Sequence, residues 1–130
     1  MSSIFSKIVA GEVPCFKIAE NNEFLAFLDA FPLVPGHTLV IPKKEIDYIY
    51  DLSDESLSSL MIFSKPIAKA IEKVVPCKRI GVTVIGLEVP HAHVHLIPIN
   101  GVADMDFSRP KLSIEKEEME SIASKIKSFL

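Results

Sequence analysis

The chain has 130 residues, 48% apolar and 24% charged, a balance that excludes a disordered segment and leaves an ordinary globular protein. Its net charge of -3 argues against a surface built to follow a nucleic-acid backbone, although an anionic small molecule needs only local donors. The length suits one domain, residues 1–130, with a core that needs no staples, and it is too short for a complete TIM barrel.

The first element in chain order is a short helix over residues 3–10. Ser2 or Ser3 can cap its start, and Gly11 can take the left-handed position beyond its end. The stretch from Phe16 to Glu20 reads as a strand, Asn21-Asn22 as a turn, and Phe24 to Asp29 as a second strand. A loop rich in proline and glycine follows, from Phe31 to Gly36. A third strand, His37 to Ile41, is stopped by Pro42. Lys43-Lys44 is a solvated turn.

The longest periodic segment begins at Ser53, a good N-cap followed by Asp54 and Glu55 at the positive end of the helix dipole. Apolar residues from Leu57 to Val75 recur at steps of three and four and define one helical face. Pro66 should bend this helix and Pro76 should end it. Two strands follow, Ile80 to Ile85 and His91 to Ile97. A C-terminal helix carries Met119, Ile122, Ala123, Ile126 and Phe129 at helical spacing, with Ser113 as the expected cap. The expected fold is α+β: a five-stranded, mainly antiparallel sheet with two main helices and the short N-terminal one.

Cys15 and Cys77 are far apart and outside any CxxC spacing. They read as small buried hydrophobes of a reduced, cytoplasmic protein. The first residues lack the charged and apolar regions of a secretory signal, and no uncharged apolar run reaches the ~18 residues of a membrane span.

All four histidines bear on function. His91, His93 and His95 alternate with Ala92, Val94 and Leu96, so on a strand the three imidazoles share one face at steps of ~6.6 Å. Three imidazoles in strict alternation exceed what packing asks for, since each buried ring needs partners for two nitrogens. Two chemistries remain. Imidazole is a zinc ligand, yet no glutamate or aspartate follows the triplet closely to complete a familiar ligand set. Imidazole is also a nucleophile, largely neutral at pH 7, that can attack phosphorus while its neighbours manage protons.

The stretch His91-Ala92-His93-Val94-His95-Leu96-Ile97 resembles the histidine triad signature, in which three histidines alternate with apolar residues. Ile4 to Pro14, Leu25 to Asp29 and Pro35 to Lys43 are similar to three further signatures of that family. The similarity is greatest to the histidine triad nucleotide-binding branch. It implies a hydrolase or transferase that cleaves nucleoside 5'-phosphoramidates or related nucleotidyl substrates through a covalent nucleotidyl-histidine. His93 matches the nucleophile and His95 a residue that contacts phosphate or leaving group. His37 and His91 match supporting positions, and Asp29 the carboxylate that accepts both ribose hydroxyls. Phe5, Ile8 and Leu28 match the apolar slot for the base, and Glu88 and Val89 fall in the substrate-binding segment before the triad. The resemblance implies a purine nucleotide or its conjugate as ligand, a homodimer joined at the long helix, no cofactor, and neither nucleic acid nor membrane as partner. Read without it, Asp29 is also a plausible turn residue, and Phe5 and Ile8 plausible core.

The sequence departs from the family at two places. Some members hold a structural zinc with two cysteines, a later histidine and the first triad histidine. Here Ser3, Ser6 and Glu45 stand at three of those positions, so no metal is expected. The segment before the triad is shorter, Glu88 replaces a small hydroxyl residue, and a phosphate-contacting asparagine is missing, with Thr83 as a substitute. Two alternatives stay open: a metal-dependent enzyme built on the same histidines, and a protein that binds nucleotides without turning them over.

Overall fold

The structure, a computed structural model, describes residues 2–130. Five strands form one sheet in the order β1-β2-β3-β5-β4, with every neighbouring pair antiparallel. The strands are β1 (Lys17–Glu20), β2 (Phe24–Leu28), β3 (Thr38–Pro42), β4 (Arg79–Thr83) and β5 (Val94–Ile99). Three α-helices accompany them: α1 (Ile4–Val9), α2 (Asp54–Val74) and α3 (Lys116–Lys127). Two short 3-10 turns, Ile49–Asp51 and Val102–Met105, have no counterpart in the sequence reading. This is the expected α+β arrangement.

The sheet has two buried faces, and the alternation of its strands decides what each carries. Phe24, Ala26, Val40, Val94 and Leu96 point to the face covered by α2 and α3, where they pack with Leu60, Ile67, Ile71, Met119 and Ile126. Leu25, Phe27, Leu39 and Ile41 point to the other face and meet Phe5 of α1. Five consecutive buried residues in β2 and in β3 follow from this double covering. The helical stripe of α2 thus faces its own sheet, while Met61 and Ile62 on its outer side are 44% and 68% exposed. The helix runs on through Pro66, whose missing N–H leaves the Ile62 carbonyl on this outer, wet side.

Caps fix the helix starts. Ser3 Oγ accepts the Ser6 N–H at 3.0 Å, and Ser53 Oγ accepts the Ser56 N–H at 3.1 Å. The start of α3 departs from expectation: Glu115 occupies the cap position and makes no side-chain cap, and Ser113 lies two residues before it, outside the helix. Gly11 does adopt the left-handed conformation, at φ +79°.

The last two strands also start elsewhere than expected. Strand β4 ends at Thr83, and β5 begins only at Val94. His91 and His93 therefore precede the ladder. The backbone explains why: His91 N–H donates to Val89 O at 2.8 Å and Ala92 N–H to Ile46 O at 2.7 Å, loop contacts that displace strand pairing. Pro98 lies inside β5, opposite Ile80, where β3 has already ended and no donor is missed.

Candidate active site

The face carrying Phe5, Leu39 and the histidines is hollow near the end of α1. The cleft there holds about 840 Å³, within the range of small-molecule sites. His37, His93, His95, Asp29, Phe5, Ile8, Leu28, Glu88 and Val89 all line it. His91 does not. It is fully buried behind the others and serves as a support. Thr83 pairs with His95 in the sheet register but is absent from the cleft wall.

Hydrogen bonds assign every imidazole its tautomer. His91 Nε2–H donates to Pro42 O at 2.7 Å, so its Nδ1 is a bare acceptor, and the Ser3 hydroxyl donates to it at 2.8 Å. His93 Nδ1–H donates to the carbonyl of His91 at 2.7 Å, which leaves the Nε2 lone pair free in the cleft. Leu33 N–H donates to His37 Nδ1 at 3.1 Å, so His37 must carry its proton on Nε2. That proton is donated to His95 Nδ1 at 2.9 Å, and His95 in turn must keep its own proton on Nε2. A backbone amide thus dictates the donor that His95 offers, through two rings.

Burial holds these rings neutral. His37 is pushed down to about 3 and His95 to about 4, chiefly by desolvation, then by a neighbouring imidazole (His95 for His37, His93 for His95), with the Lys111 ammonium adding to both. His93 is lowered by burial too, against the opposing pull of its bond to the His91 carbonyl. Asp29 is raised by burial although the Phe31 N–H donates to its Oδ1 at 2.9 Å. Its other oxygen, Oδ2, lies 3.6 Å from His37 Nε2.

The donor atoms of Asp29, His37 and His95 lie within 4.8 Å of one another, a spacing that also suits a metal ion. The tautomers oppose that use. His37 Nε2 bears a proton and has no lone pair to give, and the Leu33 amide prevents the ring from exchanging its two nitrogens.

A second polar cluster sits behind His91. Glu45 Oε1 accepts from the Ser3 N–H at 2.6 Å and from the Ser6 hydroxyl at 2.7 Å. These bonds hold its carboxyl down to about 2, the Ser3 amide contributing most. Ser3, Ser6, Glu45 and His91 therefore meet, as the family pattern places them, and satisfy one another. Two hydroxyls in place of thiolates make a poor donor set for zinc. Among the described residues, every buried side-chain polar atom has a partner.

Four features of the cleft lie outside the sequence reading. Phe31 and Leu87 line its mouth at 70% and 88% exposure. Phe107 packs edge-on to His95, with ring centroids 4.8 Å apart, and Lys111 lies over Phe107 at 5.6 Å. Phe107 and Lys111 come from the aperiodic segment between β5 and α3, where no spacing signals a role. Phe5 flanks the opposite side and meets His93 edge-on at 5.0 Å. Cys15, half-buried in the cleft wall, and Cys77 are free thiols and neither is fully buried as expected.

With this geometry in hand, similarity to known proteins is specific. A family model, HIT domain, matches residues 10–101. The adenosine 5'-monophosphoramidase hnt1 of Schizosaccharomyces pombe is 40% identical over 134 aligned residues, covering 98% of this chain and all of that protein. A Hit-like protein involved in cell-cycle regulation from Bartonella henselae, solved with an unknown ligand, superposes with a TM-score of 0.86 at 32% identity, over 99% of this chain and 96% of that one. A hypothetical histidine triad nucleotide-binding protein from Sulfolobus tokodaii gives a TM-score of 0.81 at 30% identity, over 96% of this chain and 89% of that one. Motif, fold and relatives agree, and the chain belongs to the HIT domain family.

Proposed function

We propose that the protein hydrolyses adenosine 5'-phosphoramidates and related nucleotidyl conjugates at the α-phosphorus. One observation carries the reading: His93 presents a bare Nε2 to the cleft because its Nδ1 proton is committed to the His91 carbonyl. The names of the relatives, a monophosphoramidase among them, support the substrate class.

In this reading the apolar wall of Phe5, Ile8 and Leu28 takes the base, and Asp29 accepts the ribose hydroxyls. The His93 Nε2 lone pair forms a bond to phosphorus as the P–N bond to the amine breaks. The amine keeps the electron pair of that bond and takes one proton from solvent. His93 becomes a nucleotidyl-imidazolium whose charge is shared with the His91 carbonyl. Water then attacks phosphorus, restores neutral His93 and returns one proton. The sum is phosphoramidate plus water giving nucleotide plus amine. His95 Nε2–H acts as a donor to phosphate oxygen, because its fixed neutral tautomer has no spare proton to give.

Incubation with adenosine 5'-phosphoramidate tests this. AMP release that persists in a chelator is expected, and release that requires added metal would favour a metal-dependent enzyme instead. Tight AMP binding with no product from any phosphoramidate would make the protein a binder only. The same proposal treats residues 1–130 as one domain and pairs two chains across the outer side of α2, where Met61 and Ile62 are exposed. A dimer in sedimentation at micromolar concentration is the expected result, and a monomer would remove that part.

A further inference from the structure

Glu88 is the oddity of this cleft. It lines the cavity on the loop before the triad, two residues past Gly86, which turns at φ +75°. Its carboxylate makes no hydrogen bond and no ion pair among the described residues. Its charge nonetheless reaches the reacting groups, raising both the Asp29 carboxyl and the His93 imidazole. The cleft's one lysine is engaged elsewhere: Lys111 Nζ donates to Phe107 O at 2.6 Å and Arg109 O at 3.4 Å, and its field falls on Asp29, His37 and His95.

A phosphate bound at His93 would therefore meet two carboxylates, Asp29 and Glu88, against a single ammonium. The three histidines of the cleft are neutral and offset nothing. In the proposed reading Asp29 has a use in the ribose hydroxyls, whereas Glu88 is an exposed part of the cleft lining with no hydrogen-bond partner among the described residues. Two anions held close together are unfavourable unless a cation lies between them. The described residues supply no cation at that position, and an ammonium on the ligand would.

We propose that Glu88 selects substrates whose leaving amine carries a second, positively charged ammonium group. This rests on the phosphoramidase reading and narrows it to conjugates of diamines and other cationic amines. The ammonium would donate to the free carboxylate of Glu88 and screen it from the α-phosphate. A charge-assisted contact at an exposed carboxylate supports a preference of roughly two- to fivefold.

The test compares two adenosine 5'-phosphoramidates of matched length, one of 1,4-diaminobutane and one of n-pentylamine. The readout is the ratio of their kcat/KM values in the wild type divided by the same ratio in Glu88→Gln, which cancels the intrinsic reactivity of the two amines. The quotient is expected to be about two to five, to fall in high salt, and to be unchanged by EDTA. Glu88→Lys should push the ratio below that of Glu88→Gln. Hydrolysis of both substrates with equal ratios in wild type and Glu88→Gln would overturn the proposal and leave the phosphoramidase reading standing. A preference that appears only with magnesium present would also overturn it, since Glu88 would then be holding a metal ion. Failure of the wild type to cleave either substrate would overturn the phosphoramidase reading itself.

Discussion

His93→Ala is expected to lower kcat for an adenosine 5'-phosphoramidate by roughly 10⁴-fold or more, while AMP binding changes little. The ring it removes packs edge-on against Phe5 at 5.0 Å and against His95 at 4.9 Å, so its loss opens the cleft and leaves the apolar wall and Asp29 in place. No other lone pair takes its place. His95 and His37 hold their protons outward and inward along a chain that starts at the Leu33 amide, and His91 lies behind the cleft wall with both nitrogens bonded. Direct attack by water is all that remains. His95→Ala should be less severe, roughly 10²–10³-fold, because it removes a donor to phosphate and spares the nucleophile. Single-turnover kinetics with a ligand-binding control separates the two effects. A His93→Ala enzyme within tenfold of wild type would show that the bond to phosphorus is not made by this ring.

Much of this site is legible in the chain because alternation is robust to small errors of boundary. Spacing alone sets His91, His93 and His95 on one strand face, and His93 and His95 do share the cleft although only His95 belongs to the paired ladder. The extended backbone sets side-chain direction whether or not its amides pair with a neighbour. His91 illustrates the limit of that rule. Its spacing is the same, but its hydrogen-bond partners, the Ser3 hydroxyl that donates to it and the Pro42 carbonyl that accepts from it, lie 88 and 49 residues away in sequence and draw it into the wall. Strand β2 was readable because Phe, Leu and Ala fill both of its faces, which is what a strand covered on both sides demands.

What resisted reading depends on tertiary contact. Phe107 and Lys111 stand in a segment of glycine, proline, serines and charges with no period, and only the folding of that segment against β5 brings them to His95. The tautomer chain is hidden for the same reason. It begins at a backbone amide, and every residue has one. Ser113 does not cap α3: it satisfies the residue preference, but Glu115 occupies the cap position, and propensity is the weaker of the two.

Acidification from pH 7 to pH 5 is expected to remove about 4 kcal/mol of folding stability, read as a drop in the urea midpoint at constant slope. The sign follows from the histidines. In the unfolded chain His37 and His95 titrate near 6.5, whereas in the fold burial pushes them down to about 3 and about 4. Above pH 6.5 both states are neutral and the pair contributes nothing. Below it the unfolded chain binds protons that the fold refuses, and each ring forfeits about 2 kcal/mol by pH 5. His93, lowered by the same burial, acts in the same direction. The carboxyls act in a lower window. Glu45, held at about 2, gives up its contribution only as pH falls below the ordinary carboxylate range, and Asp29, raised by burial, opposes the loss there. A His37→Asn, His95→Asn double variant should flatten the dependence between pH 7 and pH 5, and an equally steep dependence in that variant would place the acid-sensitive groups elsewhere. Domains of this size are stable by about 5–15 kcal/mol, so the neutral pair ties a large part of the fold's acid tolerance to the active site. The burial that keeps the His95 donor neutral and fixed for phosphate is the same burial that makes the protein yield to acid.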